Sequence, residues 1–378
     1  LGMPMHRPSE APSPSLTRSA AVHVTRTFMP PIGDYVELLE GIWERQQVTN
    51  NGTLVQQLEK ALLPYHGTPH LLYATNGTIT LQLALKALGI TGEVITTPFS
   101  YVASTTAILW EHCTPVFVDI EADGFNIDAE LIEAAITPRT QAILATHVYG
   151  LPCAVERIEA IARAHGLKVI YDAAHAFGTS YKGRPLLSFG DVSSCSFHAT
   201  KIFHTVEGGS LACHDEGLYA QLRLLRSFGH VKDEHFAPGI NGKNSEFHAA
   251  MGLLVLRSMD EILERRRGQW LRYAEALAGV NVRIASIPDG TDFNHAYFPV
   301  VLPTERLLTT VVEDLAALDI HPRRYFYPSL STLPYLKNPG NCPRSEELSP
   351  RVLCLPLFHD LEEEVIDLVA SRIRVLVP

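Results

Sequence analysis

Lys201 lies in the run Ser193-Ser194-Cys195-Ser196-Phe197-His198-Ala199-Thr200-Lys201-Ile202-Phe203-His204-Thr205-Val206-Glu207-Gly208-Gly209, with no Asp or Glu within five positions on either side. No local carboxylate holds its amine in solvent as half of an ion pair. A lysine buried without a partner costs several kcal/mol or gives up its proton. The neutral amine that results is the form that attacks a carbonyl, so Lys201 is a candidate for Schiff-base chemistry. Taken alone, the ordinary reading is a solvated surface lysine.

A second group changes that balance. Residues 169–171 form a short apolar run that reads as a buried parallel strand, and Asp172 follows at its carboxyl end, where open α/β sheets place ligands. An aspartate there can simply cap the next turn. Paired with Lys201 it suggests pyridoxal 5′-phosphate (PLP), which needs a lysine for its aldehyde and a carboxylate for its pyridinium nitrogen, so that the ring acts as an electron sink.

The elements that would position these two groups follow a simple alternation. Short apolar strands are expected at 71–74, 94–97, 116–119, 142–146, 169–171, 192–196 and 210–213, with helical patterns between them. Such βαβ units predict a mostly parallel sheet covered on both faces. Asn76-Gly77-Thr78 joins the first strand to a helix running to about Leu88, and its exposed amides and helix dipole suit a phosphate, although a plain capped helix reads the same way. From about Trp270 a smaller lobe is expected, with a strand at 296–302 and helices at 304–318 and 362–376. The division is a Pro-rich flexible leader at 1–29, a large domain at 30–269 and a small domain at 270–378.

The stretches Tyr171-Asp172-Ala173-Ala174-His175-Ala176-Phe177-Gly178 and Ser196-Phe197-His198-Ala199-Thr200-Lys201, followed by Glu207-Gly208-Gly209, resemble the DegT-type sugar-nucleotide aminotransferases of aspartate aminotransferase (fold type I) architecture. The resemblance runs from about Pro30 to the C-terminus. Within the family the chain looks like the viosamine-type enzymes, which aminate C4 of a dTDP-4-keto-6-deoxyhexose. It implies a large lobe with a seven-stranded sheet and a smaller C-terminal α/β lobe. It also implies PLP as cofactor with pyridoxamine 5′-phosphate as intermediate, L-glutamate as amino donor, a nucleotide-sugar acceptor, and a homodimer with active sites at the interface.

Further roles come from the resemblance alone. Gly77 and Thr78, next to Asn76, would bind the cofactor phosphate, helped by the hydroxyl of Ser196. Tyr101, rather than Phe99, would stack on the ring, with Ala174 as the small residue on its other face. His175 would lie near the 3′-oxygen. Asn241 would reach the phosphate of the neighbouring subunit, and Lys243 stands where the family often has arginine. Arg323 and Tyr325 would be substrate contacts in the cleft. Lysine at 201, where dehydratases of this structural group carry histidine, favours transamination. A C3-specific sugar aminotransferase, or a fold type I enzyme acting on amino acids, is the alternative; a non-enzymatic relative would have shed part of this set.

Composition narrows the partners. A net charge of -10 disfavours a general nucleic-acid binder without excluding a locally positive pocket for a nucleotide sugar. The six cysteines are scattered with no C-x-x-C spacing, so no zinc or other metal site and no disulfide framework is expected. No apolar run is long enough to span a membrane and no signal peptide is evident, which makes the cytoplasm the expected compartment.

Overall fold

The computed structural model describes residues 20–378, and the first part of the expected leader lies outside them. A seven-stranded sheet forms the centre, in the order His70–Ala74, Gly209–Cys213, Val192–Ser196, Lys168–Asp172, Thr140–Thr146, Glu93–Thr96 and Thr114–Phe117. Gly209–Cys213 runs antiparallel to both of its neighbours and the remaining pairs are parallel. All seven strands lie where the alternation of apolar runs places them, within about two residues at each end.

The strands are apolar on both faces because both faces are covered. On one side Leu72, Leu144, Ile170 and Leu211 pack with Leu81, Leu85 and Ile108 from the helices Gly77–Ala87 and Ala103–Trp110. On the other, Ile95, Ile143, Val169 and Tyr171 pack with Ile158 and Ile161 of the helix Val155–His165. Successive residues such as Ile143 and Leu144 therefore serve opposite cores, the pattern of a parallel sheet buried on both sides. The carboxyl ends of Lys168–Asp172 and Val192–Ser196 lie side by side, with Asp172 in register with Ser194.

A smaller antiparallel sheet, Arg283–Ile284, Phe298–Val301 and Val352–Leu355, forms a second lobe with the helices Glu305–Ala316 and Glu363–Leu376. The backbone of Arg323 exchanges two hydrogen bonds with Cys354 of this sheet, and Leu330 N–H donates to Pro98 O at 2.7 Å. The segment 322–330 is thereby fixed at the junction of the two lobes.

The expected flexible leader needs one correction. Val22–His23 pairs in parallel with Ile320–His321, Val24 is buried, and Leu357 N–H donates to Val24 O. Phe28 packs edge-on against the His359 ring, and its carbonyl is hydrogen-bonded by His204 Nε2 at 2.6 Å. Residues 20–29 are thus built into the small lobe. Proline content misled here because Val22 and Val24 find their backbone partners in sequence that arrives some 300 residues later.

Candidate active site

Lys201 sits in a loop leaving the strand Val192–Ser196, and that loop is closed on itself. Phe197 N–H donates to Gly208 O, Thr205 N–H to Phe197 O, and Lys201 N–H to His198 O, at 2.8, 2.9 and 2.9 Å. The flanking Phe197, Ile202 and Phe203 are buried and anchor it. The loop presents the lysine to a cavity of about 310 Å³ that Asp172, Tyr101 and Tyr325 also line. Burial pulls the amine below its ordinary pKa, opposed by the attraction of Asp172, Tyr325 and Tyr101.

Asp172 ends its strand and is 6% exposed. Its Oδ1 accepts from Ala174 N–H at 3.1 Å and its Oδ2 from the Ser104 hydroxyl at 2.6 Å. Burial pushes its pKa up, while the Ser104 and Ala174 hydrogen bonds and the Lys201 charge pull it back.

The phosphate-suited turn is built as follows. Asn76 caps the helix Gly77–Ala87 by accepting from Ile79 N–H at 2.8 Å, which leaves the amides of Gly77 and Thr78 at the cavity wall. Ser196 comes so close that a Cβ on residue 77 would lie 2.9 Å from its Cβ, which requires glycine there. The Ser196 oxygen accepts from His198 N–H at 3.3 Å, so its own hydrogen is free for an anion.

Tyr101 is 60% exposed and lines the cavity, whereas Phe99 is fully buried among Phe125, Tyr149 and Phe326. Ala174 lines the cavity as well. His175 Nδ1 accepts from Tyr149 N–H at 3.3 Å, which puts the ring proton on Nε2, and burial holds its pKa well below the usual value, so the imidazole is neutral. Arg323 and Tyr325 enter from the small lobe, with the Arg323 guanidinium 5.5 Å from the Tyr325 ring centre. Asn241 and Lys243 do not reach this cavity. They lie on the loop before the helix Glu246–Leu256, Asn241 exposed and Lys243 half-buried with its Nζ 5.4 Å over the Phe228 ring.

Several groups at the site were not singled out from the sequence. Ser100, Ser104, Thr146, His198, Glu207 and Phe326 belong to it or support it. Ser104 lies in the first turn of the helix Ala103–Trp110 and Ser100 in the bend before it, so no helical periodicity links the two in the sequence. His147 is buried, stacked 4.4 Å from Tyr171, and accepts from Cys153 N–H; it is a packing residue.

The arrangement can hold an aldehyde on Lys201, a protonated ring nitrogen on Asp172, a phosphate on Gly77, Thr78 and Ser196, and a flat ring between Tyr101 and Ala174. The model of the DegT/DnrJ/EryC1/StrS aminotransferase family matches residues 33–374. The chain belongs to this family. Aminotransferases of the DegT/DnrJ/EryC1/StrS family depend on PLP, and the cavity lining includes a lysine, a carboxylate and the start of a helix as donor set. The chain is 39% identical to a dTDP-4-amino-4,6-dideoxy-D-glucose transaminase of Shigella dysenteriae over 93% of its length and 98% of that protein. It is 40% identical to the Escherichia coli enzyme of the same name, over 91% of this chain and 96% of that one. Among solved structures, DesI in the presence of its TDP-sugar product matches with a TM-score of 0.90 and 35% identity, covering 95% of this chain and 93% of that one. No helix among the described residues is long and apolar enough to cross a membrane.

Proposed function

We propose that this family aminotransferase moves an amino group from L-glutamate to C4 of a nucleotide-linked 4-keto-6-deoxyhexose, dTDP-4-keto-6-deoxy-D-glucose, with PLP as its cofactor. The observation that carries this reading is the convergence of Lys201, Asp172 and the Gly77–Thr78–Ser196 cradle on one cavity. The substrate rests on the two transaminases at about 40% identity that act on this 4-amino sugar.

When bound, the pyridine ring supplies an electron sink for the carbanion formed at the donor Cα. Lys201 would hold the cofactor's aldehyde, and its amine, when free and neutral, would be the base that accepts the proton leaving the donor Cα. Asp172 would keep the ring nitrogen protonated, and His175 would offer its Nε2 proton to the ring oxygen. Gly77, Thr78 and Ser196 hold the phosphate. Arg323, beside the Tyr325 ring on the cavity lining, receives the sugar nucleotide at the mouth together with Tyr325. Asn241, exposed, and Lys243, half-buried, both away from the chain's own cavity, serve the second site of a homodimer.

The test is an absorbance spectrum of the PLP-loaded enzyme before and after L-glutamate, then after dTDP-4-keto-6-deoxyglucose. A visible band that bleaches with glutamate and returns with the sugar supports both half-reactions. Bleaching without recovery rejects this sugar, and recovery with a 3-keto isomer instead assigns amination to C3. No band at all rejects the role of Lys201.

A further inference from the structure

Asp172 is not alone at the floor of the cavity. The Ser104 hydroxyl reaches its Oδ2 at 2.6 Å, the Ser100 hydroxyl reaches Ser104 Oγ at 2.9 Å, and Thr146 Oγ1 lies 3.0 Å from Ser100 Oγ. Ser104 is fully buried, Ser100 is 2% exposed and Thr146 is 4% exposed. An ionised carboxylate only accepts, so the hydrogen of Ser104 must point at Asp172. Its oxygen is then left to accept from Ser100, and the oxygen of Ser100 to accept from Thr146. One negative charge orients the whole row, and each hydroxyl polarises the next.

We propose that Ser104 is a positioning residue that keeps Asp172 ionised and aimed at the ring nitrogen, at the head of a Thr146–Ser100–Ser104 hydroxyl chain. The proposal rests on the PLP reading of the site. The chain supplies to Oδ2 what the Ala174 amide supplies to Oδ1, so neither oxygen faces apolar surroundings unpaired. Without it the carboxylate would meet desolvation with one backbone N–H and the Lys201 charge. The other titratable groups around it are Cys195 on the adjacent strand and His175 in the following turn, both held neutral by burial. Neither replaces the lost donor.

Two measurements on Ser104→Ala and Ser104→Thr test this. In the cofactor-free chain, infrared difference spectra against Asp172→Asn follow the carbonyl stretch of protonated Asp172 on acidification. Its midpoint should move to higher pH in Ser104→Ala and return toward the wild-type value in Ser104→Thr. In the PLP-loaded enzyme, kcat should fall about ten- to a hundredfold in Ser104→Ala, the loss of one charge-assisted hydrogen bond. The sugar KM should stay within about twofold. The pH midpoint of the visible band should also rise, because a less protonated ring no longer depresses it. An unmoved infrared midpoint in a folded Ser104→Ala overturns the proposal, as does a kcat loss that merely follows a loss of thermal stability. A wild-type chain with no visible band overturns the PLP reading instead, and the infrared midpoint still decides the role of Ser104.

Discussion

In the cofactor-free chain the Lys201 amine lies where burial favours the neutral form and Asp172, Tyr325 and Tyr101 favour the charged one, and burial is the larger influence. Unfolded, the amine titrates at its ordinary 10.5; folded, it titrates lower. Between those two values the unfolded chain holds more protons, so this residue makes stability rise with pH across that window. Lys201→Met should remove the slope and raise the melting temperature at neutral pH while abolishing transamination, checked by melts of the cofactor-free protein at a series of pH values up to the ordinary lysine pKa of 10.5. Asp172→Asn should leave the fold intact and lower kcat by a factor on the order of 10² to 10⁴, from the roughly 3–5 kcal/mol lost when one partner of a buried pair is removed. Lys201 and Asp172 were legible because charged residues in apolar, small-residue surroundings are conspicuous. Ser100 and Ser104 were not, because serine is common and its role here depends on which carboxylate it meets in space.

At the scale of elements, the helix Gly77–Ala87 offers its first amides to the cavity only because Ser196 can approach Gly77. Gly77→Ala should push the two apart and weaken PLP binding by about tenfold or more, read by fluorescence titration, with little change in melting temperature. A second helix start depends on a buried charge. Glu246, fully buried, accepts from Leu54 N–H at 3.0 Å and Val55 N–H at 2.8 Å, which caps the helix Thr53–His66 from the helix Glu246–Leu256. A Cβ at residue 52 would strike its carboxylate at 2.2 Å, so Gly52 in the Asn50-Asn51-Gly52 turn is required by that cap. Glu246→Ala should destabilise the protein by about 1.5–3 kcal/mol, visible as an earlier denaturation midpoint. The central strands were legible as apolar runs because burial on both faces leaves no polar alternation to interpret. The turn at Gly52 reads in sequence as a turn and nothing more, since its constraint is a carboxylate nearly 200 positions away.

For the whole molecule, the proposed homodimer makes a quantitative prediction. If Asn241 serves the partner's site, then Lys201→Ala and Asn241→Ala chains, each weak alone, should form hybrids in which one site carries both changes and the other carries none. Mixing and refolding the two in equal amounts should restore activity to about a quarter of wild type, since half of the dimers are hybrids with one intact site each. Activity that stays at the level of the separate variants would place Asn241 outside the partner's site. Asn241 and Lys243 were singled out only through resemblance, because a residue proposed to act across an interface would leave no trace in its own chain's core. The pairing of Val22–His23 with Ile320–His321 bears on how the molecule is made. At about 5–20 residues per second the ribosome needs roughly 15–60 s to deliver the second strand after the first. During that time the strand Val22–His23 has no native partner, so the segment that closes the small lobe waits, exposed to chaperones and proteases, until residues 320–321 have been made.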